Sequence, residues 1–336
     1  MMGHRRWTAY ARLSVLPAVL LLGGRVPASP PAGWLVVPIT AESTAVILDA
    51  ETLAPIVRIR TLPHPQDAVA SPVQPRAFVL EMGTDSAPEH SVAELDVPSG
   101  RLVRRIELGT CLRPHLGRIS HDGGTLWIAC VPSIVEVDLE HATIPRRWTL
   151  ENAGAWNFDV SDDERTLVTA NFDDSSATLI SRESGAQRVI QLSGKPIGIA
   201  VAPHTQLAWI GVTGTDSVYV VDLTSAPSIK SRFPSRGSEP ARIAFALDAR
   251  AVVIANSRSN SVAIYDAMTR TLRGSVRVPG PGDWPKGVVV SDDGRSAFVS
   301  LMGSDQVIRI DVSSGQITGR TVVGKGPERA AWVARR

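Results

Sequence analysis

The chain has 336 residues, 43% hydrophobic and 20% charged, with 27 Gly and 24 Pro. That balance excludes a disordered polymer, and the Gly and Pro content demands frequent turns. Its formal net charge of +2 belongs to the first 28 residues, which carry Arg5, Arg6, Arg12 and Arg25 and no acid; without them 31 basic and 33 acidic residues remain, net −2, so charge gives no argument for a nucleic-acid or membrane partner.

In chain order, residues 1–28 read as an export signal. His4, Arg5, Arg6 and Arg12 supply the basic start, LSVLPAVLLL (13–22) the apolar centre, and Val26-Pro27-Ala28 a small-residue cleavage site. The apolar run is about half of the roughly 20 residues that cross a bilayer, so no span is expected after removal of the signal. Arg5-Arg6, flanked by His4, Trp7 and Thr8, fits a twin-arginine signal poorly and reads as an ordinary basic region. The remaining 29–336 are expected to form one domain, a monomer located in the periplasm or outside the cell.

The next stretch, GWLVVPITAESTAVILD (33–49), has the form of two strands from a unit that lacks its first. Complete units follow. Each begins at a proline before a short apolar run (Pro65, Pro114, Pro196, Pro240, Pro285 and Pro327, with Ala155 in the missing slot). Each continues through a polar turn, a second strand, another turn and a third strand ending in aspartate. Those ends fall at Asp49, Asp96, Asp138, Asp222, Asp266 and Asp311, with Ser181 filling the gap, 41 to 47 residues apart. A Ser-Gly or Thr-rich turn and a fourth strand complete the unit, as in PSGRLVRRIEL (98–108) and SSGQITGRTVV (313–323). Residues 65–79, PQDAVASPVQPRAFV, align without a gap on 285–299, PKGVVVSDDGRSAFV.

Four short strands per repeat, repeated seven times, predict an all-β, seven-bladed β-propeller. The last unit, GPERAAWVA (326–334), supplies a first strand and stops. Joined to the strands of 33–49 it completes the seventh blade and closes the ring, leaving no free edge between first and last blades. First strands such as GIAVA (198–202) and GVVV (287–290) are small and apolar on both faces, as expected close to the ring axis.

Units such as GKPIGIAVAPHTQLAWIGVTGTDSVYVVD (194–222) and EPARIAFALDARAVVIANSRSNSVAIYD (239–266) resemble the YVTN-type β-propeller repeat. The resemblance covers nearly all of the mature chain. Relatives of that architecture include exported proteins of unknown role, surface-layer components, lactonases, the haem-binding propeller of cytochrome-type nitrite reductases and the large subunit of amine dehydrogenases. The repeat implies the fold and leaves the chemistry open.

In a propeller, the loops entering the first strands gather at one mouth of the central channel. The two positions after each proline anchor therefore place Asp67, His115, Trp156, Asn157, Arg242, Lys286, Glu328 and Arg329 there as candidate ligand-binding residues. This polar ring with cationic weight suits a small anionic ligand or a polar segment of a partner protein, because Arg offers a planar fork and Lys a point charge. Solvated residues around a water-filled channel would give the same pattern.

His115 is the candidate for a general base or an axial ligand. His121 and His204 fall in strand-linking turns, and no histidine has metal-ligand spacing, so no metal site is expected. The pairs Asp162-Asp163, Asp173-Asp174 and Asp292-Asp293 fall in repeat turns and read as turn formers. Cys111 and Cys130 lie at the same end of one blade and form either one disulfide or two buried thiols. No Cys-x-x-Cys-His occurs, so covalent c-type haem is not expected, and the identity of any other cofactor is unknown from the sequence. The function read at this point is binding or scaffolding at the channel mouth. The alternatives are a lactonase-type hydrolase or a redox-associated propeller.

Overall fold

The computed structural model describes residues 32–150, 155–224, 226–246, 248–278, 280 and 282–335. The export signal assigned to residues 1–28 lies outside them.

Among the described residues, twenty-eight strands form seven four-stranded antiparallel sheets, and within each sheet the strands are neighbours in the order of the repeat. Numbered around the ring, blade II spans residues 65–107, blade III 116–149, blade IV 155–191, blade V 195–234, blade VI 240–277 and blade VII 285–322. Blade I combines residues 33–60 with the carboxy-terminal strand Ala331–Ala334.

The chemistry of each strand follows its place in a blade. Second and third strands, such as Ala251–Asn256 (AVVIAN) and Ser261–Asp266 (SVAIYD), are buried between neighbouring blades on both faces, so aliphatic and β-branched residues run almost without alternation. Fourth strands face solvent on the rim and mix exposed charge with aliphatic residues, as in Pro55–Arg60 (PIVRIR). There is no single core. Seven apolar clusters each fill the space between two adjacent blades, one per junction. At the junction of blades V and VI the backbones approach closely, and a side-chain carbon at Gly211 would lie 2.2 Å from the Pro240 carbonyl oxygen.

The aspartates ending the third strands shape the turns that follow. Asp49 accepts the Thr52 N–H at 2.8 Å, Asp266 the Thr269 N–H at 2.8 Å and Asp311 the Ser314 N–H at 2.7 Å. Hydrogen bonds that need the ionised form hold Asp96, Asp138, Asp222 and Asp266 below the usual carboxylate range; for Asp266 the largest cause is the Thr269 N–H. Asp163 and Asp293 likewise accept the hydroxyls of Ser161 and Ser291, each at 2.6 Å.

Ring closure takes the form expected from the split repeat. Gly33, Trp34, Leu35 and Val36 pair antiparallel with Ala334, Val333, Trp332 and Ala331. Trp332 stacks on Phe298 of blade VII with centroids 5.5 Å apart, and Arg335 lies over the Trp34 ring while its guanidinium binds Asp49.

Candidate functional site

The mouth is built by an irregularity that recurs at the start of the inner strands. In blades II, IV, V, VI and VII the pairing with the second strand slips by one residue immediately after the anchor position, between Pro65 and Asp67, Ala155 and Asn157, Pro196 and Gly198, Pro240 and Arg242, and Pro285 and Gly287. Such a bulge re-aims side chains at the end of a sheet. The extra residues, Gln66, Trp156, Ile197, Ala241 and Lys286, all line one cavity of about 740 Å³.

A second space of about 400 Å³ follows the inner strands deeper into the channel. Asn157, Arg242 and Arg329 border both spaces, so these three side chains form the floor of the mouth.

Arg329 ties that floor together. Its Nη1 donates to the Asn157 side-chain oxygen at 2.9 Å, its Nη2 donates to the His115 carbonyl, and its Nε lies 3.3 Å from an Asp67 carboxylate oxygen. Asn157 in turn donates to the Ile197 carbonyl at 2.5 Å. One guanidinium on blade I thereby links the inner edges of blades II to V. Below it, Asp159 accepts from Arg118 Nε at 2.7 Å and from the Val201 N–H at 2.8 Å. Burial opposes the charge of Arg118, but the carboxylates of Asp159 and Asp67 outweigh it and raise its pKa.

Arg242 and Lys286 are placed differently. Arg242 donates only to its neighbour's Ala241 carbonyl, at 2.6 Å, and its Nε is buried without a hydrogen-bond partner. Neither Arg242 nor Lys286 has an ion-pair partner among the described residues. Burial, followed by the positive charge of Arg329, pushes Arg242 down to about 9. Burial and the adjacent Arg242 lower Lys286 as well.

The side chains expected at the mouth divide into three groups. His115, Trp156, Asn157, Arg242, Lys286 and Arg329 converge on the cavity. Asp67 lies below the floor, bordering only the deeper space, where it accepts the Gly117 N–H at 2.9 Å. Glu328 is buried and borders neither space; its N–H donates to the Pro38 carbonyl at 3.0 Å, and its carboxylate acts on Arg242 and Lys286 from behind the wall without forming an ion pair with either. Asp173, read as a turn former, also reaches the cavity.

His115 is 7% exposed, and its Nδ1 lies 3.0 Å from the Arg113 carbonyl oxygen. A carbonyl only accepts, so this nitrogen carries a proton. The Cys111–Cys130 disulfide is present and fixes the approach to His115 against the end of the second strand of blade III.

Several lining residues come from positions beyond the two read after each proline. Arg113, Glu239 and Trp284 immediately precede the anchor prolines, each with a left-handed backbone (φ 58°, 62° and 43°). Phe172, Ser257 and Met302 immediately follow second strands, and Met82 is the last residue but one of the second strand Arg76–Gly83. Both sets occupy fixed places in the repeat, and that periodicity is the signal that finds them.

A family model described as YNCE-like beta-propeller matches residues 162–335, just over half of the chain. The chain belongs to that family. No curated protein matches this YNCE-like propeller. Solved structures of similar shape include dihydro-heme d1 dehydrogenase NirN in complex with DHE, 17% identical, with a TM-score of 0.67 over 91% of this chain and 77% of NirN. Hydrazine synthase from Kuenenia stuttgartiensis is 16% identical, TM-score 0.69 over 88% of this chain and 99% of that one. A functionally unknown protein from Desulfotomaculum acetoxidans DSM 771 is 10% identical, TM-score 0.76 over 91% and 100%. At these identities the shared property is the fold.

Proposed function

We propose that this YNCE-like propeller is an exported, YVTN-type binding protein that holds the anionic group of a small ligand at the mouth of its channel. The observation carrying this reading is the pair Arg242 and Lys286, two cations that line a 740 Å³ cavity with no ion-pair partner among the described residues. A partly desolvated, unpaired cation raises the free energy of the empty protein, and an anion supplies the missing charge. Arg329 adds positive potential from the floor, partly offset by Asp67. The disulfide supports an oxidising compartment, in keeping with the export signal.

Calorimetric titration with citrate, a compact polycarboxylate, tests the reading against the Arg242→Gln/Lys286→Gln variant. Binding by the wild type, weakened at least tenfold in the variant, is expected. Absence of citrate binding, or equal affinity in both proteins, contradicts it.

A further inference from the structure

The cavity is larger than a compact anion needs; about 300–1,000 Å³ is the range of pockets that enclose drug-sized molecules. Part of its remaining wall is apolar and aromatic. Trp156 and Trp284 are 57% and 53% exposed, both on the cavity surface, together with Phe172, Met82 and Met302. Two half-exposed tryptophans in one concave site leave much apolar surface in water that a ligand would cover.

Their placement is polarised. Trp156 belongs to blade IV and Trp284 to the entry of blade VII, and in a ring of seven no two blades stand further apart than three steps. Arg242, Lys286 and Arg329 occupy the consecutive blades VI, VII and I. Asp173 lies on the opposite side, in the turn after the second strand of blade IV. Of the other charges on the wall, Glu239 is paired with Arg258 at 3.4 Å and Arg113 with Asp85 at 2.7 Å, so the cations left without an ion-pair partner among the described residues are on the side of Arg242 and Lys286, and a carboxylate is drawn there.

Trp284 is also held in place. Its backbone has φ 43°, a left-handed conformation rare for a bulky residue. The Asn260 side-chain oxygen accepts its N–H at 3.1 Å, and its carbonyl accepts the Met302 N–H at 3.2 Å. On the other side the Trp156 ring lies 6.2 Å from that of His115, itself tied to the Arg113 carbonyl. The backbone that carries Trp284 is thus set before a ligand arrives, which lowers the ordering cost of binding.

Resting on the anion-binding reading, we infer that the ligand is a flat, apolar-bodied carboxylate, with its ring system between Trp156 and Trp284 and its carboxylate on the side of Arg242 and Lys286. The body covers the exposed indoles while the head group completes the unpaired cations. Neither half of the molecule accounts for the whole cavity alone.

Three probes separate the contributions on the intact protein: 2-naphthoate, its neutral counterpart 2-naphthalenemethanol, and acetate, which has the head group without the ring. Calorimetry is expected to give 2-naphthoate at least tenfold tighter binding than either of the others. Trp156→Ala and Trp284→Ala, both at half-exposed positions, should each weaken 2-naphthoate severalfold, and by more than they weaken citrate. If citrate binds but 2-naphthoate is no tighter than acetate, the aromatic-body inference is overturned and the anion reading stands. If neither citrate nor 2-naphthoate binds, both fall. If the tryptophan variants bind 2-naphthoate as the wild type does, the seat between the indoles is wrong.

Discussion

Arg329 and Asn157 stand on blades I and IV, yet the guanidinium donates to the amide oxygen at 2.9 Å across the channel. The same side chain reaches the His115 carbonyl and the Asp67 carboxylate. It is therefore a structural tie through the ring centre as well as part of the floor on which Arg242 sits.

Removing that tie should be costly. Arg329→Gln leaves the buried Asp67 carboxylate without its cation and frees three neighbouring blades from one another. We expect a loss of about 3 kcal/mol, the low end for breaking one partner of a buried pair. Urea denaturation of the purified variant measures it, and a loss below roughly 0.5 kcal/mol, the level of an exposed pair, would contradict the role.

Closure by the carboxy-terminal strand makes a second prediction. Deleting residues 327–336 removes the inner strand of blade I and strips Trp332 from Phe298. The truncated chain should lose its single cooperative thermal transition, since both neighbouring junctions become exposed. Arg335→Ala removes only an exposed ion pair and a ring contact, and should cost about 1 kcal/mol or less.

The disulfide is expected to act on stability and on the site together. Cys111→Ala/Cys130→Ala releases a loop whose ends are 19 residues apart. The expected loss is about 3 kcal/mol in chemical denaturation. Because the freed segment carries Arg113 and His115, anion affinity measured on the still-folded variant should fall severalfold. The Arg242 and Lys286 contacts persist, so binding should not vanish.

Protonation gives a fourth prediction. Arg242 is lowered to about 9 and Lys286 is also lowered, both by burial first. Below about 9 Arg242 is charged in the empty protein, and citrate binds without that guanidinium taking up a proton. Above it, binding must carry a proton in, so affinity is flat near neutral pH and falls as pH rises past about 9, by up to tenfold per unit. Stability without ligand moves the other way. The unfolded chain holds these protons more tightly than the folded one, so the empty protein gains stability as pH rises through that range. Titrations at constant ionic strength check both signs.

The parts of this structure legible in sequence are those set by local chemistry. Pro240 and Pro285 mark strand starts, while Asp266 and Asp311 mark the turns they cap. The split repeat around Trp332 and Leu35 makes closure readable without any pairing information. Trp156 and Lys286 were expected at the opening because each follows its anchor directly.

Asp67 was placed too high because the bulge at Gln66 determines which of two adjacent residues faces the opening, and register is a property of paired strands. Glu328 lies behind the wall, where its N–H donates to the carbonyl of Pro38, 290 positions earlier in the chain. Trp284 is not legible in the sequence because its left-handed backbone, fixed by Asn260 and Met302, is a tertiary effect.

The most direct test of the central claim is a crystal soaked in 4-bromobenzoate, with the bromine located by anomalous scattering. The account predicts one strong peak inside the mouth between Trp156 and Trp284, with the carboxylate within hydrogen-bond distance of Arg242 and Lys286. Peaks confined to the outer rim of the blades, with an empty mouth, would contradict it.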